Sequence, residues 1–219
     1  MKLSMAKSLL FASTNQHKLE EIRQMLPPGY DIQSLNDIGW REEIPEPFET
    51  FEENAAAKTS TLFESKGLVC FAEDSGLEID ALEGRPGVYS ARYAGSPVNS
   101  SSNIEKRNIE KVLNEMNNIR NRSARFVSVI AYQTGRNEIH FFRGMVEGNI
   151  SEHPSGHGGF GYDPVFIPKG FDQTFSMLPA SLKTRSAIDQ NPCIILFNFC
   201  NNIKWSYFYS REVKSIRRQ

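Results

Sequence analysis

The sequence predicts an α/β protein built on a mixed β-sheet, and three observations carry that reading. A short apolar run at residues 8–12 leads into a polar turn and then a segment of helical spacing, which is strand, loop and helix in succession. Residues 50–64 and 103–117 repeat the helical pattern between further strand-like runs. Residues 124–132 and 138–146 flank the turn Thr134-Gly135-Arg136-Asn137, so these two strands form a β-hairpin and the sheet cannot be purely parallel.

In chain order, the apolar run ends at Ser13-Thr14-Asn15, after which Leu19, Ile22 and Leu26 share one helical face. A second strand starts at residues 30–32. Residues 41–50 are acidic and contain Pro45 and Pro47, which demands an extended or looped backbone. Residues 50–64 lack Gly and Pro and are rich in Ala, Glu and Lys, as a helix should be. The run "LVCFAEDSG" reads as a strand that breaks into an acidic turn, with a separate strand at 77–81. Ile104, Ile109, Val112, Leu113 and Met116 then give a helical stripe. After the hairpin, Gly156, Gly158, Gly159 and Gly161 make a flexible loop before "YDPVFIP", and residues 174–185 return to helix.

Composition narrows the class. The 219 residues suit one domain, or two small lobes sharing a core. With 25 basic and 26 acidic residues the net charge is −1, which argues against a nucleic-acid polymer as partner. No apolar run approaches the length of a membrane span, and the first residues show no secretory pattern, so a cytoplasmic protein is expected. Cys70, Cys193 and Cys200 lack metal-knuckle spacing and read as packing residues.

Three places offer chemistry. Ser13, Thr14, Asn15 and Lys18 lie between a strand end and a helix start, where backbone N–H groups and an ammonium suit a phosphate; an ordinary helix cap with a solvated lysine is the alternative. Glu42, Glu43, Glu46 and Glu49, with Asp74 further on, supply carboxylates from two segments, as a Mg²⁺ ion bridging protein and phosphate requires. A solvated acidic face, and an Asp74 that bonds only its own backbone, are the plainer readings. In the glycine loop, Phe160 or Tyr162 can pack a nucleobase and Asp163 can accept from base or ribose, unless these are core aromatics at a strand entry. His17, His140, His153 and His157 share no metal spacing and are read as surface or supporting residues.

Together, "STNQHKLEE", "TFEENAAAK", "EDSGLEIDALEGRPGVYSARYAG", "GGFGYDPVFIP" and "TFSMLPASLK", spread from about residue 9 to 185, resemble the Ham1-like inosine triphosphate pyrophosphatase family. The resemblance implies an elongated mixed sheet with flanking helices, two lobes around a nucleotide cleft, and a homodimer. It implies Mg²⁺-dependent hydrolysis of ITP, dITP and XTP to monophosphate and pyrophosphate. By position, Ser13, Thr14, Asn15, Lys18 and Ser75 resemble the phosphate contacts, and Glu46 and Asp74 the metal ligands. Asp74 is also similar to the general base, while Phe160, Gly161, Tyr162 and Asp163 resemble the base-binding stretch and Lys183 resembles a lysine that reaches the ligand. A Maf-like pyrophosphatase, or a family member that binds nucleotides without turnover, are the alternatives.

One departure matters. The family follows its lysine, after three residues, with Ser-His-Arg, whose last two side chains contact the purine 6-oxo group; here Lys183 is followed by Thr-Arg-Ser-Ala-Ile-Asp. The chain therefore divides into a domain at 1–185 and an atypical tail at 186–219 with net charge +3 and clustered aromatics. Loss of one nucleotide after the Arg185 codon accounts for both features, since a suitable codon choice for residues 186–191 reads as Ile-Ser-His-Arg-Ser-Lys in the shifted frame. Without those donors, discrimination of ITP from GTP is expected to shrink toward about tenfold or less.

Overall fold

A computed structural model of the chain describes residues 7–26, 28–95 and 103–179. Among these, strands β1 (Lys7–Phe11), β2 (Tyr30–Ser34), β3 (Cys70–Ile79), β4 (Ser123–Gly135), β5 (Glu138–Ile150) and β6 (Phe166–Pro168) form one sheet in the order β2-β1-β3-β4-β5-β6. β1 runs parallel to β2 and touches β3 in parallel at Phe11 and Phe71, and every later pair is antiparallel. The sheet is mixed, as the hairpin predicts.

The helices are α1 (Gln16–Met25), α2 (Phe51–Lys66) and α3 (Ile104–Glu115). Thr50 caps α2: its Oγ1 accepts from the Glu53 N–H and its hydroxyl donates to the Glu53 carboxylate at 2.7 Å. The helix ends at Gly67, whose φ of 67° needs glycine. Its buried face is Phe51, Asn54, Ala55, Lys58, Thr59 and Leu62, so two strongly polar residues share a stripe with apolar ones.

Two expectations change. The acidic turn expected at residues 73–76 does not exist: β3 runs unbroken from Cys70 to Ile79, pairing along its length with β4. Gly76 serves close approach rather than turning, because a Cβ there would lie 2.3 Å from the Gly87 carbonyl oxygen and 2.5 Å from the Ser90 hydroxyl. The helix expected over 174–185 is, in its described part, one 3₁₀ turn at Phe175–Met177. There the Ser176 N–H donates to the Asp163 carbonyl and Thr174 Oγ1 to the Ser155 carbonyl, contacts to the glycine loop that replace helical ones, and Pro179 has no N–H to offer. Lys183 and the tail at 186–219 lie outside the described residues.

The core sits in separate clusters. One gathers Phe11, Leu19, Ile22, Phe71, Ile130 and Tyr132 around α1, and another gathers Leu77, Ile79, Val112, Met116, Val165 and Phe166 at the α3 and β6 end. Strand alternation puts Phe71, Glu73, Ser75 and Leu77 on one face of β3, so a polar step of Glu73 and Ser75 separates these two apolar clusters. The opposite face carries Cys70, Ala72 and Asp74, and Cys70 and Ala72 pack with Leu62 of α2.

Candidate active site

The loop after β1 is rigid at its base, where the Ala12 N–H donates to the Phe71 carbonyl and the Ser13 N–H to the Phe11 carbonyl, each at 2.8 Å. Ser13 Oγ accepts from the Asn15 N–H, and Asn15 Oδ1 accepts from the Lys18 N–H at 3.2 Å, which caps α1. The cap and the phosphate readings are compatible, since Ser13 and Thr14 also line a cleft of about 560 Å³ together with Glu46, Lys58 and Arg92. Lys18 Nζ crosses to β3, donating to Ser75 Oγ at 2.9 Å and pairing with Glu73 at 3.5 Å.

On the α2 face of β3, Asp74 is buried between Asn54, whose amide donates to it at 3.2 Å, and Lys58, whose ammonium lies 3.5 Å away. Lys58 also donates to the Glu73 carbonyl at 2.9 Å and pairs closely with Glu46. Two carboxylates from separate segments therefore converge on one ammonium. Asn54 extends the arrangement by gripping both the N–H and the carbonyl of Phe48, which fixes the end of the acidic loop, and Trp40 Nε1 holds the loop's start through the Glu42 carbonyl.

Electrostatics separates the three carboxylates. Burial pushes the Asp74 carboxyl above its usual value, the nearby Glu46 charge adds to this, and Lys58, Lys18 and Asn54 oppose it without prevailing. Burial works on Glu46 too, yet Lys58, with Lys18 and Arg92 behind it, holds that carboxyl below the usual range. At Glu73 burial is likewise outweighed, by Lys18, by the Ser128 hydroxyl donating at 2.7 Å, and by Lys58. Glu46 and Glu73 are held as anions while Asp74 keeps affinity for a proton, the separation that acid-base chemistry uses.

Arg92 ends the 3₁₀ segment Gly87–Arg92 and reaches Glu46 from a third direction, 3.7 Å from its carboxylate. The glycine loop joins this framework through Tyr162, whose ring is buried in the α3-side cluster and whose hydroxyl donates to the Ser90 carbonyl at 2.9 Å. Phe160 stands 38% exposed and Gly161 has φ 58°. Of the two aromatics, Phe160 keeps ring surface for a ligand, while Tyr162 anchors the loop.

The structure thus brings Ser13, Asn15, Lys18, Glu46, Asp74 and Ser75 into hydrogen-bond and ion-pair networks around β1 and β3, with Thr14 beside Ser13 in the cleft lining. It places the segment carrying Phe160, Gly161, Tyr162 and Asp163 one hydrogen bond from the Gly87–Arg92 segment. Sequence reasoning passed over Asn54, Lys58, Arg92 and Ser128. The available signal was Asn54 and Lys58, four residues apart within "TFEENAAAK", on the face that Phe51, Ala55 and Leu62 mark as inward.

The sequence model of the Ham1 family matches residues 9–188. The chain belongs to the Ham1 family. It is 45% identical to a dITP/XTP pyrophosphatase of Flavobacterium johnsoniae over 175 residues, covering 80% of this chain and 88% of that one. It is 44% identical to a dITP/XTP pyrophosphatase of Bacillus subtilis over 182 residues, covering 82% of this chain and 89% of that protein. The solved structure of the Staphylococcus aureus Ham1 protein superposes with a TM-score of 0.80 at 35% identity, covering 90% of this chain and all of that one. The elongated α/β fold is therefore that of Ham1 proteins.

The donor set of this Ham1 chain fits a hard divalent ion. No group of three His, Cys, Asp or Glu side chains gathers for a metal among the described residues. Glu46 and Asp74 nevertheless aim at one cationic point, and Mg²⁺ characteristically takes one or two carboxylates and completes its shell with phosphate oxygens and water.

Proposed function

We propose that this chain hydrolyses non-canonical purine nucleoside triphosphates, ITP, dITP and XTP, to the monophosphate and pyrophosphate. The observation that carries the reading is Asp74, a buried carboxylate with raised proton affinity, positioned by Asn54 and Lys58 beside a phosphate-suited loop in a Ham1 chain. The substrate's phosphates lie against Ser13, Thr14, Asn15, Lys18 and Ser75. Asp74 accepts a proton from the attacking water as the new P–O bond forms, and the bridging P–O bond between the α and β phosphates breaks to release pyrophosphate. Lys58 steadies Asp74 and Glu46, and Lys18, fixed by Glu73, meets phosphate charge. Mg²⁺, held by Glu46 and Asp74, supplies neutralisation of phosphate oxygens when bound.

Phe160, Gly161 and Asp163 supply the base site on a loop that Tyr162 anchors, Lys183 reaches the ligand, and the chain divides into a domain at 1–185 and a tail at 186–219 whose sequence replaces the family's Ser-His-Arg donors. Base discrimination is accordingly weak. The protein works as a cytoplasmic homodimer; exposed Phe141 and Met145, which flank Arg143 on one face of β5, support the dimer. No helix among the described residues is long and apolar enough to cross a membrane.

The test is pyrophosphate release from ITP, dITP, XTP, GTP and ATP with and without Mg²⁺. Metal-dependent release from the first three, with ITP preferred to GTP by about tenfold or less, is expected. No release from any of them contradicts the activity, and a preference of several hundredfold contradicts the account of the tail.

A further inference from the structure

Among the described residues, Arg92 is the loosely committed cation of the cleft. Lys58 directs its ammonium at three oxygens, the Glu46 carboxylate, Asp74 at 3.5 Å and the Glu73 carbonyl at 2.9 Å, and an ammonium has three donors. Lys18 is engaged by Ser75 at 2.9 Å and Glu73 at 3.5 Å, with its side chain 18% exposed. Arg92 meets Glu46 only at long range, 3.7 Å to the carboxylate and 3.4 Å to the backbone carbonyl, and its side chain is 44% exposed. A guanidinium presents five N–H donors in a planar fork, far more than these contacts use.

The backbone beneath it is fixed. Ser90 Oγ accepts from the Leu77 N–H at 2.8 Å and donates to the Gly87 carbonyl at 2.6 Å, which clamps the segment to β3. Tyr162 and Asn108 both donate to the Ser90 carbonyl, and Asn108 also donates to that of Ala91. The Tyr89 ring lies 5.4 Å from the guanidinium carbon and steadies one side of the head. A planar cationic fork that is weakly held on a rigid base suits bidentate capture of a phosphate.

Building on the pyrophosphatase reading above, we propose that Arg92 is a phosphate-binding arm. Its guanidinium leaves Glu46 and takes non-bridging oxygens of the substrate's polyphosphate, and the exchange frees a Glu46 carboxylate oxygen for a cation. Charge demands a group in this place: Glu42, Glu43 and Glu46 line the same cleft, so an incoming polyanion meets three carboxylates there and needs a cation that is not already saturated by them.

The experiment is calorimetric titration of the full chain with inorganic tripolyphosphate in metal-free buffer, comparing the natural sequence with Arg92→Ala and Arg92→Lys. Arg92→Ala should weaken binding roughly tenfold to hundredfold, as expected for loss of charge-assisted hydrogen bonds. Arg92→Lys should recover only part of it, because lysine lacks the fork. A residue that merely tethers Glu46 would leave tripolyphosphate affinity unchanged in both variants and would weaken Mg²⁺ binding instead; that result overturns the proposal, as does a natural chain that fails to bind tripolyphosphate. Binding is read without turnover, so a chain that binds tripolyphosphate through Arg92 yet releases no pyrophosphate from dITP would overturn the activity and leave the arm standing.

Discussion

The two faces of β3 treat neighbouring carboxylates in opposite ways. Glu73 points toward α1, where Lys18 and the Ser128 hydroxyl overcome burial and hold it as an anion. Asp74, one residue on, points toward α2, where burial prevails over Lys58 and raises its proton affinity. The difference teaches how a single strand separates two jobs. Alternation alone sets Glu73 against Lys18 and Asp74 against Lys58 and Asn54 with no turn between them, and under the proposed mechanism the first fixes a phosphate-binding lysine while the second transfers a proton.

The largest effect that sharpens this contrast belongs to Asp74→Asn, which removes the proton acceptor but keeps shape and the contact with Asn54. Pyrophosphate release should fall by roughly 10² to 10⁴ with the folded circular-dichroism spectrum retained. A variant of near-normal rate would break the assignment. Lys58→Met comes next, since it leaves Glu46 and Asp74 without the ammonium that stands between them. Activity near neutral pH should drop roughly a hundredfold. The acid limb of the pH–rate profile should also move to higher pH, because removing Lys58 raises the Asp74 pKa further and the base is lost as pH falls through that value.

Gly76→Ala tests the joint between β3 and the Arg92 segment. The added Cβ meets backbone at 2.3 Å, so the segment must lift, at about 1–3 kcal/mol or more in denaturant unfolding. Stability should then divide the two carboxylates by sign. Glu73 has a folded pKa below its usual 4.5, so its contribution is present above that value and is lost as pH falls through the folded pKa. Asp74 lies above its usual 3.8, so its contribution is complete below that value and is lost as pH rises through the folded pKa. Unfolding at pH 7 should show Glu73→Gln destabilised by about 1–3 kcal/mol and Asp74→Asn no less stable than the natural chain. Both moving the same way would break the comparison. The smallest effect belongs to Tyr162→Phe, which loses one hydrogen bond to the Ser90 carbonyl, worth about 1 kcal/mol in the same measurement.

Local pattern made much of this architecture legible. The hairpin announced itself by two apolar runs around a turn, and α2 by its Ala, Glu and Lys content without Gly or Pro. β3 was misread as strand and turn because Asp74, Ser75 and Gly76 look like turn chemistry. The reason for Gly76 lies in Gly87 and Ser90, which reach it only through the fold. Lys18, Glu46 and Asp74 stood out as charged residues in motifs. Lys58 did not, since a lysine in an Ala-rich helix ordinarily faces water, and only the docking of α2 on β3 turns it inward between two carboxylates. Ser128 carried no local mark at all: it matters because β4 lies beside β3 with Ser128 opposite Ser75 and within reach of Glu73.

Carboxyl-carbon NMR titration of the ligand-free chain, with Glu73→Gln and Asp74→Asn assigning the signals, reads directly whether these two adjacent carboxyls shift in opposite directions. Asp74 should titrate above 3.8 and Glu73 below 4.5. An Asp74 that titrates below 3.8, or a Glu73 that titrates above 4.5, would contradict the opposed shifts.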